Sequence, residues 1–470
     1  MKNILSKENK LNIILIFFAT ITGSLILIIP IQYLLVIFLL FCIFVYFVFK
    51  PQHCYYLLIF TIPFRDRIRE LPFISFSVNE IFILICTISV ILNIFFRDEK
   101  VNFRTKIDVW LVALLILYFE AGFYSLNPRA LLSSFKFLEA VLAFYLTVYF
   151  IRTKKVKITY IVKAFLFTGL FQALLGILQS TTGQFGAGRQ EVGRGFLGYI
   201  GIGPTVVRRA VGTYGGTGGL AGVLAILTFF ILPFCQFLDK NRKKIILFIF
   251  ITAIYMGYGK VPFMELGVCW FFYIIYTSNN TKAILSKLSI FLTITLGVIL
   301  LSFFTPFAAT IYDSIQTRFF LWKYLIYMLS NDIHLLLFGS GLNSYFQLMN
   351  PILPQNQIGV YTGPESTNWM LVHNYYLLVI QEMGLVGFFI LFSFLFYLII
   401  IFNKNYFQVK GSHRKIFLSG ILVIIPIFIS SFFGQFFMDP AIKIMFFIFF
   451  GMIFSKINYQ KEPYNIKNSV

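Results

Sequence analysis

The residues of this chain that could do chemistry are few, and their neighbours set the terms. His373 lies in Val-His-Asn-Tyr-Tyr-Leu-Leu-Val-Ile-Gln-Glu-Met-Gly-Leu-Val-Gly (372–387), where a long polar stretch gives way to an apolar run. A neutral imidazole at such a boundary, with arginines nearby, can act as a general base toward a hydroxyl, although a lone histidine more often has a structural job. Glu382 lies further along the same run, where a hydrogen-bonded carboxyl packed with Gly384 and Gly387 accounts for it. Arg318 and Trp322 are four residues apart in Thr-Arg-Phe-Phe-Leu-Trp-Lys-Tyr-Leu, which puts them on one helical face. A cation beside an aromatic plane can hold a sugar phosphate, and it can equally lie on a bilayer. Arg209 opens the glycine-rich run Arg-Ala-Val-Gly-Thr-Tyr-Gly-Gly-Thr-Gly-Gly-Leu-Ala (209–221), whose amides could cradle a phosphate or whose small residues could pack helices closely. His53 and His413 fall in loops and His334 follows an amphipathic stretch, so these three read as incidental.

The elements that must position these residues are membrane helices. Of 470 residues, 59% are hydrophobic and only 12% charged, against about 25% charged in soluble domains. Disorder, a secreted disulfide scaffold and a coiled coil are excluded, and the chain reads as one membrane domain over 1–470. The net charge of +21 would suggest nucleic acid in a soluble protein. Here the cations crowd into loops that hold topology, and nucleic acid is discarded as a partner. The five cysteines lie in or beside apolar runs with no metal-ligand spacing, and neither histidines nor carboxylates cluster, so no metal and no cofactor is expected.

Fourteen apolar stretches are candidate spans: 11–29, 33–49, 54–63, 78–96, 107–125, 130–150, 158–178, 213–238, 245–257, 261–277, 288–306, 374–402, 416–434 and 440–454. Those at 54–63, 245–257 and 261–277 are short enough to be re-entrant or broken. The expected fold is therefore an all-α polytopic integral membrane protein of about 12–14 transmembrane helices. Alternating the spans from a cytoplasmic N-terminus puts both termini inside and leaves most cations on the cytoplasmic side, as the positive-inside rule requires. Two outer segments, 179–212 and 307–373, are too long for turns, and the second contains the amphipathic stretch Asp313–Leu329. No internal repeat is visible.

The cations that topology does not explain are on the outer side: Arg189, Arg194, Arg208, Arg209, Lys260, Arg318 and Lys323. The acids there (Glu191, Glu265, Asp313, Glu365, Glu382) do not obviously neutralise them, whereas an anionic ligand would, and arginine's planar fork suits phosphate. Arg189, Arg194 and Arg208 read as loop solubilisers, and Arg209 and Arg318 as functional.

At this point His373-Asn374-x-x-Leu377-x4-Glu382-x-Gly384-x-x-Gly387 resembles the signature of the O-antigen polymerase and O-antigen ligase superfamily. Arg209-x-x-Gly212-Thr213-Tyr214 is similar to that superfamily's earlier arginine motif, and Arg318-x3-Trp322 followed by Phe338-Gly-Ser-Gly341-x3-Tyr345-Phe346 resembles its long-loop pattern. The likeness covers residues 205–390 and has departures: Gly215-Gly-Thr-Gly218 replaces an Asn-Pro-Asn, and Gly259-Lys260 replaces a Ser-Arg. It implies a glycosyltransferase type C-like fold and metal-independent, inverting transfer of a glycan from undecaprenyl diphosphate at the outer face of the bacterial cytoplasmic (inner) membrane. It further implies that His373 deprotonates or orients the acceptor hydroxyl. Arg209, Arg318 and Lys260 would hold the diphosphate, with Trp322 and Asn374 on the substrate. Glu382, Gly384, Gly387, Gly212 and Thr213 would support the site. The implied partners are membrane lipid, a glycan or lipid A–core acceptor, a flippase and a chain-length regulator. Polymerase and ligase share these motifs, so the alternatives stay open, as do a protein-glycosylating enzyme of similar build and, from another class, a transporter or flippase.

Overall fold

The computed structural model describes residues 41–64, 67–70, 75–97, 99–182, 190–192, 206–208, 210, 212–213, 217–257, 260–278, 280–303, 307–349, 372–434 and 439–457. The chain is a polytopic helical membrane protein. Among the described residues six helices are long and apolar enough to cross a membrane, or seven if the bent pair Phe41–Phe49 and Pro51–Thr61 is one span. This is fewer than the fourteen stretches that hydropathy marks. The first lies outside the described residues, and several others form helices that fall short in length or apolarity. The helices are α1 (Pro51–Thr61), α2 (Val78–Arg97), α3 (Asp108–Phe123), α4 (Ala130–Arg152), α5 (Ile158–Thr182), α6 (Thr217–Ile231), α7 (Lys240–Met256), α8 (Lys260–Thr277), α9 (Thr281–Phe303), α10 (Phe307–Asn331), α11 (Ile333–Phe338), α12 (Tyr345–Met349), α13 (Tyr375–Gln408), α14 (Ser412–Ser430) and α15 (Pro440–Ile457). Among the described residues the strands are two short antiparallel ribbons, Arg67–Glu70 with Ser75–Ser77 and Gln190–Val192 with Val206–Arg208.

Several expectations about element ends are corrected. The stretch at 54–63 is not among these: the bend of 111° between 41–49 and α1 makes it half of a broken or re-entrant unit, as its shortness suggests. The stretches at 245–257 and 261–277 are continuous helices. α7 starts earlier because Asp239 caps it, its carboxylate accepting the Arg242 amide at 2.7 Å, which brings the Lys240–Lys244 cations onto the helix. His53 and His413 lie in the first turns of α1 and α14, not in loops. The amphipathic stretch at 313–329 extends to the 25 residues of α10.

α15 is buried along nearly its whole length and, apart from Lys443, Ser455 and Lys456, apolar on every side, so it is the central helix. It packs most extensively on α4. Its Phe449 stacks on Phe230 at 3.6 Å and meets Phe165 at 4.9 Å, which joins α5 and α6 to the centre.

α13 is not one helix. Gly384 has φ 69° and ψ −176°, so the helix stops after Met383 and restarts beyond it. The carbonyls freed at the break are taken from outside: Ser340 N–H donates to Gln381 O and Gly341 N–H to Glu382 O, both at 2.9 Å. The segment 339–343 that supplies them is tied to the α3–α4 turn. Leu342 N–H donates to Ala121 O (2.9 Å), Ser125 Oγ to Leu342 O (2.6 Å), and Asn127 Nδ2 to Asn343 O (3.0 Å).

A Cβ at Gly384 would fall 2.0 Å from Leu337 O, whereas one at Gly411, also left-handed at φ 68°, meets nothing within 4 Å. Gly384→Ala is expected to lose about 2–4 kcal/mol of stability and Gly411→Ala only about 1 kcal/mol. Thermal unfolding in detergent checks this, and equal shifts would mean that the break is not locked by the 337–341 segment.

Candidate functional site

The junction at the start of α13 is built from three elements. Asn374 caps the helix, its Oδ1 accepting the Leu377 amide at 3.0 Å from an extended backbone. Tyr375 N–H donates to Ser431 O (2.8 Å) and Tyr376 OH to Phe428 O (2.7 Å), which fastens this first turn to the end of α14. From α10, Trp322 Nε1 donates to Val372 O at 2.7 Å and Arg318 Nη1 to Phe433 O at 3.0 Å. The four-residue spacing of Arg318 and Trp322 thus turns both toward the same junction. His373, between these anchors, has φ 50°, an uncommon value for a residue with a Cβ. The pinning of Val372 on one side and Tyr375 on the other holds it there.

His373 is half-buried. Burial, and secondarily the charge of Arg318, pushes its imidazole down from the usual 6.5 to about 4. The ring is therefore neutral across the physiological range. Burial also lowers the Arg318 guanidinium from its ordinary value.

The other expected residues have separate settings. Gly212 and Thr213 are clamped to α5 by two glutamines. Gln179 exchanges two bonds with the Gly212 backbone (2.7 and 2.9 Å), and Gln172 Oε1 accepts from Thr213 N–H at 3.0 Å. Thr213 Oγ1 donates to Pro63 O at 2.7 Å. Arg209 and the side chain of Lys260, which begins α8, lie outside the described residues, as do Arg189, Arg194 and Glu365. Glu382 Oε1 accepts the Asn343 amide at 2.7 Å, so its carboxyl serves the clasp on α13. Gly384 is the helix break, and Gly387 lies buried one turn beyond Met383.

The structure thus brings His373, Asn374, Arg318 and Trp322 together and puts Gly212 and Thr213 in a second cluster on α5. The indole N–H of Trp322 and the Oδ1 of Asn374 are already engaged, the Trp322 ring packs edge-on against Phe319 at 5.2 Å, and Asn374 is buried. Gln172 and Gln179 are not evident as functional from sequence. Their seven-residue spacing within an apolar span was the signal, because a buried amide in a membrane helix needs a partner. Lys443 on α15 likewise stands within an apolar run of the sequence. No protein-family model matches the chain, and no curated protein matches it.

The titration of His373 tests this electrostatic setting. With a folded-state value below that of the unfolded chain, the ring contributes stability that is present above pH 6.5 and is lost as pH falls toward about 4. Ring-nitrogen NMR should show a midpoint near 4, and Arg318→Gln should raise it without restoring 6.5, since burial is the larger cause. A wild-type midpoint at 6.5 would contradict it.

Proposed function

We propose that this protein is a bacterial membrane glycosyltransferase of the O-antigen polymerase and ligase kind. Within that class it acts as a polymerase that joins undecaprenyl-diphosphate-linked repeat units into a surface polysaccharide. The observation that carries the reading is the neutral, half-buried His373 held at a helix start in the field of Arg318. The resemblance of His373, Asn374, Leu377, Glu382, Gly384 and Gly387 in their spacing to the superfamily signature supports it. The proposed setting is the outer face of the cytoplasmic membrane, with both termini inside.

In the proposed reaction the acceptor hydroxyl oxygen attacks the anomeric carbon of the donor sugar from the face opposite the diphosphate. The carbon–oxygen bond to the diphosphate breaks, its electron pair leaves with the phosphate oxygen, and configuration inverts. The hydroxyl proton passes to a ring nitrogen of His373. An imidazole pushed down to about 4 is a weak base, so cleavage of the leaving-group bond runs ahead of proton transfer. Arg318, with Arg209 and Lys260, stabilises the charge that builds on the diphosphate. A bound diphosphate also offsets the Arg318 charge, which lets the imidazole rise toward its ordinary value when a base is needed. The Trp322 ring and the Asn374 Nδ2 hold the sugar. Glu382, Gly384 and Gly387 support the half-helix that begins beside His373, and Gly212 and Thr213 hold the backbone that follows Arg209. A flippase would supply the donor and a chain-length regulator would limit the product.

The test is purified protein in detergent with undecaprenyl-diphosphate-linked repeat units from its own organism, products resolved by size. A ladder of oligomers is expected. His373→Ala should slow it by about 10²–10⁴-fold, as for loss of a general base. Arg209→Ala and Arg318→Ala should each abolish most of it, and Arg318→Lys should recover only part, because the bidentate fork is lost. Single transfer that requires added lipid A–core would identify a ligase. Translocation of the lipid-linked glycan without new linkages, with His373→Ala silent, would identify a transporter.

A further inference from the structure

The proposed chemistry leaves one buried cation unused. Lys443 lies in the first turn of α15 with only 6% exposure, on a helix otherwise filled by Ile, Phe and Met. An ammonium in such a place is disfavoured unless charge and polar groups compensate it. Its Nζ lies 5.3 Å from the centroid of the Tyr118 ring, and its charge acts on Glu382 and Asp439. Asp439 has its own task, accepting the Ala441 amide at 2.9 Å as the cap of α15. Glu382 is the buried acid of the α13 clasp.

The Tyr118 ring is held from a second direction by Phe137, stacked at 4.1 Å with the planes 2° apart. Its hydroxyl meets the Tyr375 hydroxyl at 3.3 Å. Tyr375 is the first residue of α13, two positions beyond His373. A route of contacts therefore leads from Lys443 through Tyr118 and Tyr375 to the first turn of the half-helix that begins beside His373, and the last turn of that half-helix carries Glu382, the acid on which the Lys443 charge acts.

We propose that Lys443 is a positioning residue for His373, its ammonium balancing the Glu382 carboxylate and seating Tyr118 against Tyr375. The inference rests on the reading of His373 as the acting group. Lys443 touches neither donor nor acceptor.

The test uses the full chain in lipid nanodiscs with ring-labelled histidine. The chain has four histidines, and His373→Asn identifies the signal of interest. Lys443→Met and Glu382→Gln should each displace the His373 ring-nitrogen signals while those of His334 and His413 stay in place. Glutamine keeps an acceptor for the Asn343 amide, so this variant removes charge alone. The double variant should bring the signals back toward wild type. In the ladder assay each single variant should lose turnover about tenfold to hundredfold at an unchanged donor half-saturation, the scale of a misplaced reacting group, and the double variant should recover most of it. The spectra decide the inference even if no ladder forms, so failure of the glycosyltransferase reading remains distinguishable.

Lys443→Met that lowers the melting temperature with His373 signals unmoved would overturn the proposal and leave a purely structural lysine. So would additive effects in the double variant, or Asp439→Asn reproducing Lys443→Met while Glu382→Gln does not. If Lys443→Met fails to fold, rescue of folding by adding Glu382→Gln is the expected result, and a double variant that also fails overturns the pairing.

Discussion

A helix that breaks inside an apolar bundle leaves carbonyls that no water can satisfy, at a cost of several kcal/mol each. The break at Gly384 is therefore possible only because Ser340 and Gly341 supply amides to Gln381 O and Glu382 O, and because Glu382 Oε1 in turn takes the Asn343 amide. The 339–343 segment and the broken helix require one another. Since that segment is also tied to Ala121, Ser125 and Asn127, the short half of α13 is set against the α3–α4 turn as well as against α14. His373 stands at the other end of this half-helix, so its position depends on the break at Gly384 as well as on the anchors at Val372 and Tyr375.

Burial acts on His373 in two ways, both of which lower its affinity for a proton. Removing water from the ring disfavours the imidazolium, and the same loss of screening lets the Arg318 charge count for more than it would in solvent. The result is a side chain always in the form that can accept a proton but with little intrinsic pull on one. A basic residue free in solution would hold the proton more strongly, yet it would be partly protonated at neutral pH and thus unavailable. The site trades base strength for readiness, which suits a reaction whose leaving group carries off the negative charge early.

The local half of this arrangement is legible in the sequence. Arg318 and Trp322 at helical spacing do meet the same junction, and the polar-to-apolar boundary at His373 is where a helix starts, with Asn374 as its cap. The long-range half is not. Nothing in the run around Gly339–Asn343 says that it clasps residues 121–127, more than 210 positions earlier, because hydrogen bonds between distant backbones leave no periodic trace. Gln172 and Gln179 were legible in principle, as polar groups on one face of an apolar helix, but only the fold names Gly212 and Thr213 as their partners. Hydropathy likewise counts apolar stretches, and it cannot tell a straight span from the pair bent by 111° at residue 50.

The two ends of the bundle differ in how they treat charge. At the end bearing Glu99, the protein neutralises itself: Lys155 Nζ donates to both Glu99 oxygens at 2.7 and 2.8 Å, Tyr149 OH donates to the same carboxylate, and Arg152 is spent on the carbonyls of Asn102, Arg104 and Phe454. At the His373 end the half-buried Arg318 has, among the described residues, the Phe433 carbonyl as its hydrogen-bond partner and no carboxylate, with one of its donors engaged there. A guanidinium already desolvated by the fold has little hydration left to lose when an anion arrives, and its remaining donors are set in a planar fork. The same group gains little from remaining as it is, because a single neutral carbonyl returns only part of the solvation that burial removed. Among the described residues no carboxylate supplies its counter-charge, and the neutral imidazole stands at the same place, which is the setting the proposed diphosphate would fill.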